Sequence, residues 1–128
     1  IAMWGLAFKP MTDDIRDAPS IDIARAMLDA GATIEAYDAE ASANFKTLVP
    51  EVSIVHDMHK AAQHADALVI CTEWSEFSTP HFEQLKNSMK SPVIFDGRNI
   101  YSQDVMKKHG FHYYSVGRPT ITPSIAKV

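Results

Sequence analysis

The sequence predicts an α/β fold: a doubly wound, mainly parallel sheet of six strands with helices on both faces. Short apolar runs rich in β-branched and aromatic residues alternate with segments whose apolar residues recur at helical spacing. Most of the runs are unbroken, which is typical of strands buried on both faces of a parallel sheet. Their short connections favour right-handed crossovers within one open sheet. This is a Rossmann-like arrangement.

Six strands are predicted, in chain order, at Ala2–Phe8, Thr33–Tyr37, Val52–Val55, Ala67–Cys71, Val93–Phe95 and Phe111–Tyr114. The first helix begins at Pro19, a residue favoured in a first turn, and ends before Gly31, which can take the left-handed cap. Further helices are predicted at Ala39–Leu48, Asp57–His64, Pro80–Met89 and Ser102–His109, with Asp57 as an N-cap.

Composition limits the class of protein. With 128 residues, 46% hydrophobic and 22% charged, the chain has the size and balance of one soluble globular domain. We assign residues 1–118 to that domain and 119–128 to a loosely ordered tail. A net charge of -4 with scattered basic residues argues against nucleic acid as a partner. No apolar run approaches a membrane span and no leader is visible, so we expect a cytoplasmic protein.

The start of the sequence lies inside an apolar, strand-like run and has no initiator methionine. We therefore expect that a segment preceding Ile1 is missing. The single cysteine, Cys71, excludes an internal disulfide framework.

Ligands of doubly wound sheets bind outside the carboxyl ends of the strands, where helix N-termini offer free N–H groups. Polar residues follow three predicted strands, at Lys9–Asp17, Thr72–Phe77 and Asp96–Asn99. We expect the binding site at these three places.

Three cations in these segments each have two interpretations. Lys9 suits an anionic or hydroxyl-rich ligand, but a surface pair with a neighbouring aspartate would also explain it. Arg16 could grip a phosphate or belong to a salt-bridge network with the aspartates around it. Arg98, in the sequence Asp-Gly-Arg-Asn, could grip a phosphate or ribose, or belong to an ordinary turn; its position after a strand favours ligand contact.

Other motifs argue against chemistry in this chain. The first strand–helix connection has Gly5 but no G-x-G-x-x-G, so NAD binding by this domain alone is not expected, and Asp38 is predicted to cap the next helix. Cys71 ends a core strand, where an unpaired cysteine behaves as a small hydrophobe, so we predict no catalytic residue. The histidines lack zinc-site spacing and are interpreted as solvated groups at helix ends, so no metal is expected.

Four ordered blocks resemble the C-terminal, UDP-binding domain of the UDP-glucose/GDP-mannose dehydrogenase family. Residues 5–20 read GLAFKPMTDDIRDAPS, residues 72–77 read TEWSEF, residues 94–101 read IFDGRNIY and residues 113–118 read YYSVGR. A shorter match is AYD at residues 36–38. Trp4 departs from the smaller aliphatic residue usual in the family.

The resemblance implies part of an NAD-dependent enzyme that oxidises UDP-glucose to UDP-glucuronate. In the family, NAD is bound mainly by an N-terminal domain, and the cysteine nucleophile precedes the C-terminal domain; Cys71 does not match that cysteine's motif. This fragment alone is therefore expected to be inactive. The resemblance also implies a homodimer of the full-length protein.

The resemblance assigns roles to individual residues. It places Lys9 against the UDP-sugar, Phe8 in the sugar or uracil pocket, Arg98 on the substrate and Arg16 on NAD held by the other domain. Glu73 and Trp74 would form part of the site wall. Two alternatives stay open: a dehydrogenase for UDP-N-acetylmannosamine or GDP-mannose, and a non-catalytic nucleotide-binding or oligomerisation module.

Overall fold

A computed structural model describes residues 1–7, 19–38, 40–72, 75–78 and 80–122. Its six-stranded sheet has the order β3-β2-β1-β4-β5-β6, and all neighbouring strands are parallel. The strands are β1 Ala2–Trp4, β2 Glu35–Tyr37, β3 Ser53–Ile54, β4 Leu68–Ile70, β5 Val93–Asp96 and β6 His112–Ser115. The predicted fold class is therefore confirmed, and the sheet is parallel throughout.

The helices are α1 Pro19–Asp29, α2 Ser42–Leu48, α3 Met58–Ala62, α4 Phe82–Ser88 and α5 Gln103–His109, and a 3₁₀ turn covers Ser75–Phe77. Two predicted helix signals are confirmed. The Asp57 side chain accepts a hydrogen bond from the Lys60 N–H at 3.0 Å, as an N-cap does. Gly31 follows the end of α1 with a φ of 96°, the left-handed conformation expected there.

Helices pack against both faces of the sheet. Helices α1 and α2 cover one face, where their Ala24 and Phe45 pack with Met3, Ala36 and Val69 of the sheet. Helices α3, α4 and α5 cover the other face, over a core of Ala2, Trp4, Leu68, Ile70, Ile94 and Tyr113. Strands β1 and β4 are buried along their whole length, which accounts for their unbroken apolar sequences.

The outer edge of β6 is partly covered by the chain that follows it. Ile121 and Tyr113 exchange two backbone hydrogen bonds, of 2.8 and 3.0 Å, as an antiparallel bridge. Residues 123–128 lie outside the described residues, so the tail assigned to residues 119–128 stays a prediction. Within the described part of the chain, none of the helices is long and apolar enough to cross a bilayer.

Candidate functional site

The strand order changes direction between β1 and β4, since β2 and β3 lie on one side of this pair and β5 and β6 on the other. A crevice forms at such a point outside the carboxyl ends of the strands, and it is the usual ligand site of these sheets. The sequence predicted ligand residues after β1, β4 and β5. The structure brings the described residues after these three strands to one edge of the sheet.

The chain leaving β1 is held by three side chains from other elements. The Asp38 carboxylate, at the end of β2, accepts hydrogen bonds from the N–H groups of Leu6 and Ala7, at 2.7 and 3.1 Å. Ser20 Oγ of α1 donates to the Leu6 carbonyl at 2.7 Å. Thr72 Oγ1, just after β4, donates to the Ala7 carbonyl at 2.6 Å. These contacts hold the backbone of Leu6 and Ala7, the last described residues before residue 8.

Gly5 permits this arrangement. Its φ is 90°, and a Cβ atom built on it would lie 2.6 Å from both Cβ and N of Thr72. Real side chains do not tolerate such a distance, so the ends of β1 and β4 approach this closely only because residue 5 is glycine. Gly5 also explains why β1 ends at Trp4, whereas the apolar run predicted a strand as far as Phe8.

Asp38 caps the next helix only in part. Its second oxygen accepts from the N–H groups of Glu40 and Ala41, both at 2.8 Å, in the turn that precedes α2. The other oxygen holds the β1–α1 connection, as described above. A glycine-rich dinucleotide site would present the acid at this position to a ribose. Here the side chain is buried and bonded to four backbone N–H groups, so these residues do not fit NAD.

Arg98 lies where β4 and β5 end. Its backbone N–H donates to Asp96 Oδ1 at 2.8 Å, and its Nε donates to the Cys71 carbonyl at 2.9 Å. The preceding Gly97 donates its N–H to the Ile70 carbonyl at 3.0 Å, so this turn lies directly against the end of β4. The two interpretations of the Asp-Gly-Arg-Asn sequence are therefore compatible. It is an ordered turn, and the turn presents Arg98 at the predicted edge.

A cavity of about 620 Å³ opens beside Arg98. Its walls come from the ends of β4, β5 and β6 and from the start of α1. Phe95 and Tyr114 form an aromatic wall, with ring centroids 4.8 Å apart and planes 15° apart. Both rings are partly exposed, at 43% and 38%. A cavity of this size, whose described lining is largely apolar and includes the Arg98 cation, is typical of sites for small organic ligands.

Cys71 also lines the cavity but is not suited to nucleophilic attack. Its side chain is buried, and burial raises the pKa of its thiol to about 12. The thiolate is the reactive form of cysteine, so this thiol is inert at neutral pH. The structure agrees with the interpretation of Cys71 as a small hydrophobe within the core.

Several predicted site residues lie outside the described residues. Phe8, Lys9 and Arg16 fall within residues 8–18, and Glu73 and Trp74 fall within the next undescribed stretch. Ala7 and Pro19, which flank residues 8–18, both belong to the described edge. Sequence reasoning did not identify Ser20 and Thr72 as residues that hold the β1 end, although the second lies in a segment predicted to matter.

Comparison with known proteins shows which family the chain and this edge of its sheet belong to. Residues 2–103 match the UDP binding domain of the UDP-glucose/GDP-mannose dehydrogenase family. The chain belongs to this family. The matched range contains Gly5, Asp38, Thr72 and Arg98, the residues that form and hold the described part of the site.

Curated members of the UDP-glucose/GDP-mannose dehydrogenase family include two similar relatives. The UDP-glucose 6-dehydrogenase of Rhizobium meliloti is 50% identical over 119 residues, which cover 93% of this chain and 27% of that protein. The UDP-glucose 6-dehydrogenase of Pseudomonas aeruginosa is 42% identical over 125 residues, covering 93% and 28%. The chain thus spans about a quarter of the length of the relatives it matches.

A solved structure shows the same fold. The NDP-N-acetyl-D-galactosaminuronic acid dehydrogenase of Methanosarcina mazei superposes with a TM-score of 0.78 at 31% identity, covering 91% of this chain and 24% of that one. The Rossmann-like interpretation and the family resemblance are both confirmed.

Proposed function

We propose that this chain is the nucleotide-sugar-binding domain of an NAD-dependent UDP-glucose 6-dehydrogenase, which converts UDP-glucose to UDP-glucuronate. The proposal depends on one observation above all. In a chain that matches the UDP binding domain, Arg98 lies at the carboxyl edge of the sheet, beside the cavity. A guanidinium there can donate two hydrogen bonds to a phosphate, which a single ammonium cannot do in the same geometry.

Within this proposal the chain binds substrate and leaves the redox chemistry to another domain. Arg98 holds the UDP-sugar, together with Lys9 and Phe8 from residues 8–18. Arg16, from the same stretch, contacts NAD. Two observations support this division: the Asp38 carboxylate is engaged by backbone N–H groups, and the Cys71 thiol is inert. NAD and the catalytic cysteine, in this proposal, belong to a domain outside this chain. We also propose that the full-length enzyme is a homodimer in the cytoplasm.

The substrate assignment rests on the two curated relatives, both of which are UDP-glucose 6-dehydrogenases. A different nucleotide sugar is the second candidate, because the M. mazei structure is that of an NDP-N-acetyl-D-galactosaminuronic acid dehydrogenase. A panel of UDP-glucose, UDP-N-acetylgalactosamine, UDP-N-acetylmannosamine and GDP-mannose, assayed with the polypeptide that carries this domain and an NAD-binding domain, separates the two. A kcat/KM for UDP-glucose that is not the highest of the four would contradict our assignment.

The role of Arg98 is tested in the same polypeptide. We expect Arg98→Ala to raise the KM for UDP-glucose at least about tenfold, since a hydrogen-bonded ion pair is lost. Arg25→Ala is the matched control, because Arg25 on α1 pairs with Glu51 on the surface at 3.2 Å. Its KM should stay within about twofold of the parent value. An unchanged KM and kcat in a folded Arg98→Ala variant would refute the role.

A further inference from the structure

The block Tyr113–Arg118 belongs to the family resemblance. Tyr114, Ser115 and Val116 line the cavity, but none of the roles described so far explains Tyr113 and Arg118. The block begins in β6 and continues into the turn that follows. In the structure these residues contact residues 96–101, which are the end of β5 and the turn that carries Arg98. Three side chains, those of Tyr113, Arg118 and Asn99, connect the two segments.

Tyr113 provides the first contact. Its buried hydroxyl donates to Asp96 Oδ2 at 2.5 Å. The same carboxylate accepts from the N–H of Arg98 through Oδ1 and from the N–H of Ile100 through Oδ2, both at 2.8 Å. Burial, and then the hydrogen bond to Asp96, raise the pKa of Tyr113, so the hydroxyl keeps the proton that it donates. Asp96 therefore connects β6 to the backbone of Arg98.

Arg118 provides the second contact. Its Nη2 donates to the Tyr113 hydroxyl at 2.7 Å, and its Nη1 donates to the Tyr101 carbonyl at 3.1 Å. The guanidinium lies over the Tyr113 ring, 5.4 Å from the ring centroid. The hydroxyl also lies 3.2 Å from the Tyr101 carbonyl, but its contact with the Asp96 carboxylate is shorter and charge-assisted. Because the hydroxyl accepts from Arg118, its single proton remains for the contact with Asp96.

Asn99 provides the third contact, from within the turn itself. Its side chain donates to the Val116 carbonyl at 2.8 Å and accepts from the Val116 N–H at 2.9 Å. Asn99 has a φ of 55°, a left-handed conformation that asparagine tolerates better than most residues. The residue after Arg98 is thereby tied to the chain that follows β6.

We propose that Tyr113, Arg118 and Asn99 are positioning residues that fix the Arg98 turn and so determine how strongly Arg98 binds the nucleotide sugar. The inference rests on the proposed function. A guanidinium on a flexible turn would lose conformational entropy whenever it bound a phosphate. The carboxylate of Asp96 and the amide of Asn99 hold the backbone on both sides of Arg98 before the ligand arrives. Tyr113, Arg118 and Asn99 then contribute to binding through Arg98 and not through contact with the ligand.

A double-mutant cycle in the polypeptide that carries this domain and an NAD-binding domain tests the inference. Tyr113→Phe removes one hydroxyl and keeps the buried ring. We expect it to raise the KM for UDP-glucose about three- to tenfold with kcat little changed, and to have no further effect on KM when Arg98 is already alanine. Additive effects of the two substitutions, or an unchanged KM in Tyr113→Phe, would overturn the inference.

Two further variants complete the design. Asn99→Gly removes both side-chain hydrogen bonds but keeps the left-handed backbone, so it tests the same idea if Tyr113→Phe does not fold. It should also raise KM and should also lose its effect in the Arg98→Ala background. Tyr37→Phe is the control, because the Tyr37 hydroxyl bonds the carboxylate of Glu76 at 3.1 Å, outside this network. Its KM should stay within about twofold.

The failure of the proposed function would look different. If Arg98→Ala itself leaves the KM for UDP-glucose unchanged, Arg98 does not bind the substrate and both proposals fall. If Arg98→Ala raises KM but Tyr113→Phe and Asn99→Gly do not, only the positioning role falls.

Discussion

At the scale of single residues, the site depends on two features with little tolerance for change. Asp38 holds four backbone N–H groups with one buried carboxylate. Gly5 allows the ends of β1 and β4 to approach so closely that the Thr72 hydroxyl can bond the Ala7 carbonyl. Neither residue is placed against a ligand. Both act by positioning the backbone of Leu6 and Ala7, the last described residues before residue 8.

The role of Gly5 leads to a prediction about stability. Gly5→Ala should be strongly destabilising because its methyl group would overlap Thr72. Gly31→Ala is the matched control, since Gly31 has a similar φ of 96° but open space around it. We expect the control to cost about 1 to 2 kcal/mol for the left-handed backbone. Gly5→Ala should cost at least about 2 kcal/mol more because of the overlap.

Urea unfolding followed by circular dichroism measures both free energies. Equal costs for the two glycines would show that the chain after β1 relaxes away from Thr72, contrary to the close packing described here.

At the scale of elements, α3 and α4 meet over the end of β1 through an aromatic cluster. Trp4 of β1 donates its indole N–H to the Met58 carbonyl at 2.7 Å. His59 of α3 lies between the Trp4 ring, 6.2 Å away, and the His81 ring, 5.8 Å away. Among the described residues, His59 Nδ1 is a buried side-chain atom without a hydrogen-bond partner. The interpretation of His59 as a solvated helix-end histidine is therefore correct only in part: the residue lies at a helix end, but it is half-buried and its Nδ1 is shielded from solvent.

This cluster predicts a dependence of stability on pH. Burial lowers the pKa of His59, and His81 lowers it further, while Asp57 opposes the change. The folded state thus prefers neutral His59. The stability this contributes is present above the ordinary pKa of 6.5 and is lost as the pH falls through the lowered folded-state pKa.

Substituting His59 tests this dependence. The free energy of unfolding should fall less between pH 7 and pH 5 in His59→Gln than in the parent chain. The exposed His56 of the same region provides the control: His56→Gln should retain the parent's fall. Parallel pH profiles for the parent and His59→Gln would contradict the prediction.

At the scale of the whole molecule, the place of each strand in the sheet determines how well it is protected from solvent. Strands β1 and β4 lie in the middle of the sheet and are buried throughout, whereas β3 is a two-residue edge strand with one exposed residue. Amide exchange of central strands requires opening of a larger part of the fold. We expect the slowest exchange at Met3, Trp4, Val69 and Ile70.

Hydrogen exchange followed by NMR measures this ranking. Backbone amides of Ser53 and Ile54 should exchange through local opening, at least about tenfold faster than those of β1. The edge strand β6 is the internal comparison, because its bridge to Ile121 should protect Tyr113 more than β3 is protected. Uniform protection across the sheet would contradict the ranking.

Local patterns in the sequence predict the strands and helices, with ends that differ from the structure by a few residues. Apolar runs, helical spacing, the Asp57 cap and the glycine after α1 are local signals, and each depends on residues close together in the chain. The predicted edge for ligands followed from the same pattern, because every strand of a parallel sheet ends on one side. Arg98 was found in this way.

The contacts that hold this edge together join residues far apart in the chain. The contacts of Asp38 with Leu6 and of Thr72 with Ala7 join residues 32 and 65 positions apart. The contact of Tyr113 with Asp96 crosses between two strands that pair only in the folded sheet. Such contacts depend on strand order and on which face each side chain occupies, and no local pattern specifies either. The position of Arg98 at this edge was therefore predictable, whereas the network that holds it was not.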